Sequence, residues 1–149
     1  KESGNHVRVL TKGGDRARRD FDLLGPSDWF GVTFTTDNLF RPAAEEPKAA
    51  PPAERLATLE QAKYNGVQTW VSCEPVLYPN AVYSLIRNGW YIDLFKIGKL
   101  NHAAPPAEIV KAGGWAAFGE EAERLCREHG RAYYIKEDLR AEMEKARGT

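Results

Sequence analysis

Five times along this chain a short β-branched or aromatic-rich segment is followed by an amphipathic helical one. This alternation limits the fold more than any other feature. The strand-like segments are 7–12, 30–36, 67–76, 94–99 and 133–136, each bounded by Gly, Pro, Asp or Asn. Between and after them apolar residues recur at helical spacing: Ala17, Phe21 and Leu24 in 15–24; Leu56, Leu59 and Ala62 in 53–65; Ala81, Val82, Leu85 and Ile86 in 80–88; Phe118, Ala122, Leu125 and Cys126 in 118–129; Leu139, Met143 and Ala146 in 137–147. Gly66, Gly89 and Gly130 stand where left-handed C-caps belong. The last helix opens on Glu137 and Asp138 and closes with Lys145 and Arg147, which suits its dipole. The order predicts an α/β fold of five βα units with a parallel sheet and right-handed helical crossovers. Successive strands begin about 23 to 39 residues apart, the size of βα units. A closed eightfold barrel needs about 250 residues. A chain of 149 residues therefore forms either an open doubly wound sheet or part of a barrel.

That length suits a single domain over 1–149 with a real core. Hydrophobic residues make up 42% and charged residues 28%, which excludes a disordered or fibrous chain. Lys+Arg and Asp+Glu are 21 each. Zero net charge leaves no footprint for bulk nucleic acid or an anionic membrane, although a local basic patch stays open. No apolar run approaches the ~20 residues of a membrane span, and no secretory signal is visible. The expected location is cytoplasmic. The chain opens on Lys1 rather than Met, which suggests a processed product or a fragment.

Two cysteines make no disulfide framework and cannot supply the three or four thiolates of an iron–sulfur site. Cys126 lies on an apolar helical stripe and reads as core; Cys73 lies inside a strand pattern and its role stays open. Two segments, 39–52 and 101–114, interrupt the rhythm and read as flexible loops. The first is either a linker or a lid over the C-terminal edge of the sheet.

Buried parallel strands are nearly all apolar, and these are not. Period two puts Val32 and Phe34, Val71 and Cys73, Phe95 and Ile97, and Tyr133 and Ile135 on one face. The other face takes Thr33, Thr35 and Asp37, then Gln68, Trp70, Ser72 and Glu74, then Lys96 and Gly98, then Tyr134 and Lys136. Lys12 ends the first strand. The apolar face suits helices. The polar one forms a lumen concentrated at the C-terminal strand ends, where α/β proteins place their sites. Glu74 with Lys96 or Lys136 is either part of such a site or a structural ion pair. Other signals are weaker. Lys12-Gly13-Gly14-Asp15 has neither phosphate-loop nor dinucleotide spacing and reads as a turn more readily than an anion cradle. His6, His102 and His129 share no ligand spacing; His129 belongs to a helix end and His102 to a strand-end loop worth testing. Arg16, Arg18 and Arg19 read as a solvated helix face. No Ser-His-Asp or Cys-His arrangement is supported by spacing.

Six strings in order carry a resemblance: Val-Arg-Val-Leu-Thr-Lys at 7–12, Gly-Val-Thr-Phe-Thr-Thr at 31–36, Glu-Pro-Lys-Ala-Ala-Pro at 46–51 with Arg55, Trp-Val-Ser-Cys-Glu-Pro-Val at 70–76, Phe-Lys-Ile-Gly-Lys-Leu-Asn at 95–101, and Tyr-Tyr-Ile-Lys-Glu-Asp-Leu at 133–139. Together they resemble the C-terminal half of radical S-adenosylmethionine enzymes, in the group similar to spore photoproduct lyase. The resemblance covers nearly the whole chain. It implies a partial (β/α)6 TIM-like barrel whose lumen holds a [4Fe–4S] cluster and S-adenosylmethionine, the source of a hydrogen-abstracting 5′-deoxyadenosyl radical. By that resemblance Lys12, Thr33, Thr35, Ser72 and Glu74 are the cofactor-binding residues, Lys12 being the carboxylate-binding lysine. Lys96, Lys99, Asn101 and Lys136 lie on the substrate side. The family's Cys-x3-Cys-x2-Cys motif does not occur in this sequence, so no cluster and no metal ligand are expected on this chain alone. Activity is expected only if a segment carrying that motif completes the barrel. The implied partners are that missing N-terminal half or a second copy of the chain. DNA enters only by family analogy and is not supported by the charge; no membrane is expected. The competing readings are a non-redox small-ligand or nucleotide-binding module and an inactive relic.

Overall fold

The structure is a computed structural model and describes residues 4–36, 38–39 and 46–148. Five strands form one sheet: β1 (Arg8–Thr11), β2 (Trp29–Thr33), β3 (Gln68–Cys73), β4 (Leu94–Ile97) and β5 (Tyr133–Ile135). Their spatial order is that of the sequence and every neighbouring pair is parallel. A doubly wound sheet reverses its order at a switch point; this one does not. Right-handed crossovers between strands laid down in sequence put all the helices on one face. The result is a sector of an α/β barrel, with the other face left as lumen.

The helices are α1 (Pro52–Tyr64), α2 (Pro79–Asn88), α3 (Ala107–Lys111), α4 (Gly114–Glu128) and α5 (Glu137–Arg147). Phe30, Val32, Val71, Phe95, Ile97 and Ile135 of the sheet meet Leu59, Ile86, Phe118, Leu125 and Leu139 of the helices in one buried core. Each such side chain contributes about 1.5–3 kcal/mol on burial. Cys126 belongs to this core, and so does Cys73.

Four local expectations are corrected. Segment 15–24 is a 3₁₀ helix, Gly14–Leu23, rather than an α-helix. Phe21 and Leu24 are three apart, and that spacing aligns them on a three-residue turn as well as on an α-turn, so the apolar pattern did not separate the two. Phe21 still packs edge-on against Phe30, centroids 5.0 Å apart. Segment 101–114 is not all loop: α3 lies within it and buries Ile109. Helix α4 starts before Phe118, so that Trp115 packs edge-on against that ring. Gly66 and Gly130 have the left-handed φ of a C-cap, but Gly89 does not, at φ −81°. A Cβ on Gly89 would stand 2.6 Å from the Leu85 carbonyl oxygen, so close approach accounts for it.

The strands are also shorter than the apolar runs predict. Lys12, Thr35, Glu74, Lys99 and Lys136 lie just beyond the last paired residues. Hydrogen bonding runs one residue further, from Phe34 N to Ser72 O, Gly98 N to Cys73 O and Lys136 N to Ile97 O, and then the chain turns away. Asp37 and 40–45 fall outside the described residues, and with them the first part of the 39–52 segment. No helix among the described residues is long and apolar enough to cross a membrane.

Candidate functional site

Register defines the lumen. Thr33 pairs with Ser72, Ser72 with Lys96, and Lys96 with Tyr134. Residues in register on parallel strands share a face, so these four form one row across the sheet. Thr33 and Ser72 are buried, Lys96 is half-buried and Tyr134 is exposed. One layer lower stand Leu10, Gly31, Trp70 and Leu94. The Trp70 indole lies across β2 and donates from Nε1 to the Val9 carbonyl of β1 at 3.0 Å. Only glycine at position 31 permits this, because a Cβ there would sit 2.3 Å from the indole. Lys96 leans onto the same indole, its Nζ 4.5 Å from the ring centroid. Desolvation, joined by the like charge of Arg8, holds the Lys96 ammonium below the usual lysine range.

One layer higher, at the C-terminal rim, the Lys136 ammonium pairs with the Glu74 carboxylate. Of the two pairings left open for Glu74, this is the one formed. Lys96 has turned the other way, toward Trp70. Thr35, on the same rim, is 5% exposed, and its hydroxyl is the one buried side-chain polar atom among the described residues with no hydrogen-bond partner. Such an atom costs about 1–3 kcal/mol.

Lys12 is held from outside the sheet. Its Nζ is 2.6 Å from Glu46 Oε1, and Glu46 Oε2 accepts from Arg55 Nη2 at 2.7 Å. The Arg55 side chain is 1% exposed; its Nε donates to Ala50 O and its Nη1 to Thr33 O. One guanidinium thus ties 46–50 to the end of β2. Burial works to raise the Glu46 pKa, but the hydrogen bonds and charges of Lys12 and Arg55 prevail and hold it below the carboxylate range. This second part of the 39–52 segment is pinned, not a free linker. Neither Glu46 nor Arg55 was singled out by charge patterning. Both stand in the strings that carry the resemblance, and Arg55 lies four residues before Leu59 on the inward face of α1.

The remaining candidates are apart from this cluster. Lys99 pairs with Glu142 at 2.6 Å and Asn101 donates to Asp138 at 2.5 Å, so both turn toward α5. His102 is exposed, with a left-handed φ of +60°, and His129 is the C-cap residue of α4. The Gly13-Gly14 turn offers no open cradle: the Asp15 N–H donates to Glu54 Oε1 and the Gly13 N–H to Thr11 Oγ1. Arg18 and Arg19 pair with Asp15 and Asp20 on an exposed surface. A cleft of about 850 Å³ lies not at the rim but between the outer edge of β1 and the 3₁₀ helix, lined by Val7, Val9, Leu24 and Phe30.

The residues present do not fit an iron–sulfur cluster. Among the described residues no group of three His, Cys, Asp or Glu side chains could hold a metal ion. Burial pushes the Cys126 thiol up to about 12 and the Cys73 thiol higher still, whereas metal ligation needs the thiolate. At the rim the structure places the Glu74–Lys136 pair and Thr35, with Thr33 and Ser72 one layer below and Lys12 paired with Glu46 outside the sheet. The chain matches no protein-family model and no curated protein.

Proposed function

We propose that this chain is the cofactor- and substrate-contacting part of a radical S-adenosylmethionine enzyme of the spore photoproduct lyase-like group. The observation that carries the reading is the orphaned Thr35 hydroxyl on the same rim as Glu74 and Lys136, one layer above Thr33 and Ser72. A buried donor without a partner is a standing demand for a ligand oxygen or nitrogen. In this reading Lys12 takes the carboxylate of the cofactor, exchanging it for Glu46. Thr33, Thr35 and Ser72 bond its polar atoms, and Glu74 accepts from its hydroxyls. Lys96 and Lys136 line the substrate side; Lys99 and Asn101, which face α5, serve the fold. The bound cofactor supplies hydrogen-atom abstraction. A cluster to start that chemistry would have no ligands among the described residues and would have to be supplied by a segment carrying Cys-x3-Cys-x2-Cys.

The second reading, a non-redox nucleotide- or small-ligand-binding module, draws on the inward placement of both thiols. DNA contact has only the family analogy behind it. Calorimetric titration of the chain with S-adenosylmethionine, S-adenosylhomocysteine, adenosine and ATP separates the first two. Binding of the two adenosyl amino acids, weakened in Lys12→Met, is the expected result. Binding of ATP alone selects the second reading, and binding of none removes both.

A further inference from the structure

We propose that the groove between α1 and α2 is a binding site for a small amphiphilic cation, an apolar chain ending in an alkylated ammonium. The groove encloses about 440 Å³, in the range of small-molecule sites. Phe34 just past β2, Leu56 of α1, Ala81 and Leu85 of α2, and the Tyr91 ring line it. These side chains suit a hydrocarbon body. The groove lies among the helices, on the far side of the sheet from the lumen, so the inference does not rest on the cofactor reading.

At its Tyr91 end the groove meets aromatic and acidic groups. The centroids of the Tyr91 and Trp90 rings are 5.7 Å apart, and Trp90 in turn is 5.8 Å from Tyr64, the last residue of α1. Trp90 is 53% exposed and Tyr64 68%, so their π surface is open to solvent. The turn that carries Trp90 is nonetheless fixed: the Trp90 N–H donates to Asn88 O, the Tyr91 carbonyl accepts from Thr69 Oγ1, and Asp93 accepts from the Thr69 N–H. Glu60 stands four residues after Leu56 and four before Tyr64, on the helix face that both share. It is half-buried and makes no ion pair with any described residue. Neighbouring cations are committed elsewhere. Lys63, the one lysine of α1, pairs with Asp93, and the Arg87 charge acts on Tyr83 and Glu121, on the α4 side of α2. Burial pushes the Tyr91 hydroxyl up to about 12 and the Glu60 charge adds to the rise, so carboxylate and phenol share this end of the groove. A half-buried carboxylate without a cation is costly. An alkylated ammonium placed here gains its charge and the faces of the exposed rings together. An anion is repelled, and a neutral chain gains only the groove.

The test is calorimetric titration of the full chain with decyltrimethylammonium below its micelle concentration, with decanol and decyl sulfate as the matching neutral and anionic chains. Decyltrimethylammonium is expected to bind about fivefold more tightly than decanol, and decyl sulfate more weakly than either. Trp90→Ala removes an exposed ring and Glu60→Gln keeps the size of the side chain, so both variants retain the fold. Each should weaken binding of the ammonium about threefold, and Glu60→Gln should leave binding of decanol unchanged. No binding of decyltrimethylammonium, binding of decyl sulfate or decanol as tight as that of the ammonium, or an affinity indifferent to either substitution overturns the proposal.

Discussion

Lys136, at the end of β5, reaches over the backbone of Gly98 to pair with Glu74 at the end of β3. The strand between them permits this only by lacking a side chain. A Cβ on Gly98 would stand 2.9 Å from Lys136 Cδ and 3.0 Å from Glu74 Oε1. The contact joins residues 62 apart in sequence and closes the rim over three strands.

Gly98→Val should part this ion pair. Both side chains are partly exposed, so the pair itself contributes little; steric crowding adds to the loss, and about 1–2 kcal/mol is expected. Urea denaturation of Gly98→Val, Glu74→Gln and the double variant measures it. The double variant should be no less stable than Gly98→Val alone, because the pair is already broken.

Glu46→Gln should cost about 3 kcal/mol, because it leaves the buried Arg55 charge without its carboxylate. Replacing both, as Glu46→Leu with Arg55→Met, should recover most of the loss in a urea titration.

The same carboxylate sets a pH dependence. The Glu46 pKa lies below its ordinary 4.5 in the folded chain. A group with a depressed folded pKa contributes stability above its unfolded value, and that contribution is lost as pH falls through the folded value. Wild-type stability should therefore drop more steeply below pH 4.5 than that of Glu46→Gln, as read by denaturation at successive acid pH values.

Gly31→Ala should cost about 2–3 kcal/mol, since its methyl collides with the Trp70 indole and breaks the bond to Val9. In a double-mutant cycle with Trp70→Leu the two losses should be strongly non-additive. Additive losses would show that the methyl acts elsewhere than on the indole.

Thr35→Val should do opposite things to fold and site. Removing the orphaned hydroxyl should stabilise the chain by about 1 kcal/mol, while affinity for S-adenosylmethionine falls. Denaturation and calorimetry on one preparation read the two effects.

Much of the fold was legible in the sequence. The five strands, their parallel direction and the apolar face with Val71, Phe95 and Ile97 follow from period two and the βα alternation. The layer of Trp70 was legible only as a residue on a face. That it crosses β2 depended on Gly31, which is 39 residues away and opposite it only in the paired sheet. The resemblance puts Lys99 and Asn101 on the substrate side; their pairing with Glu142 and Asp138 of α5 was not legible in the sequence. Helix type in 14–23 was hidden because Phe21 and Leu24 satisfy either period.

Local sterics and side-chain periodicity act within a few residues, and so the sequence by itself determined the five strands, the main helices between them and which face each side chain takes, but not helix type, helix α3 or the element ends. Tertiary structure alone decided the partners: Glu74 with Lys136 rather than Lys96, Glu46 between Lys12 and Arg55, and Thr35 with nothing. These choices depend on the reach of long side chains between segments that meet only when the sheet is assembled, and on burial that favours a partner close at hand.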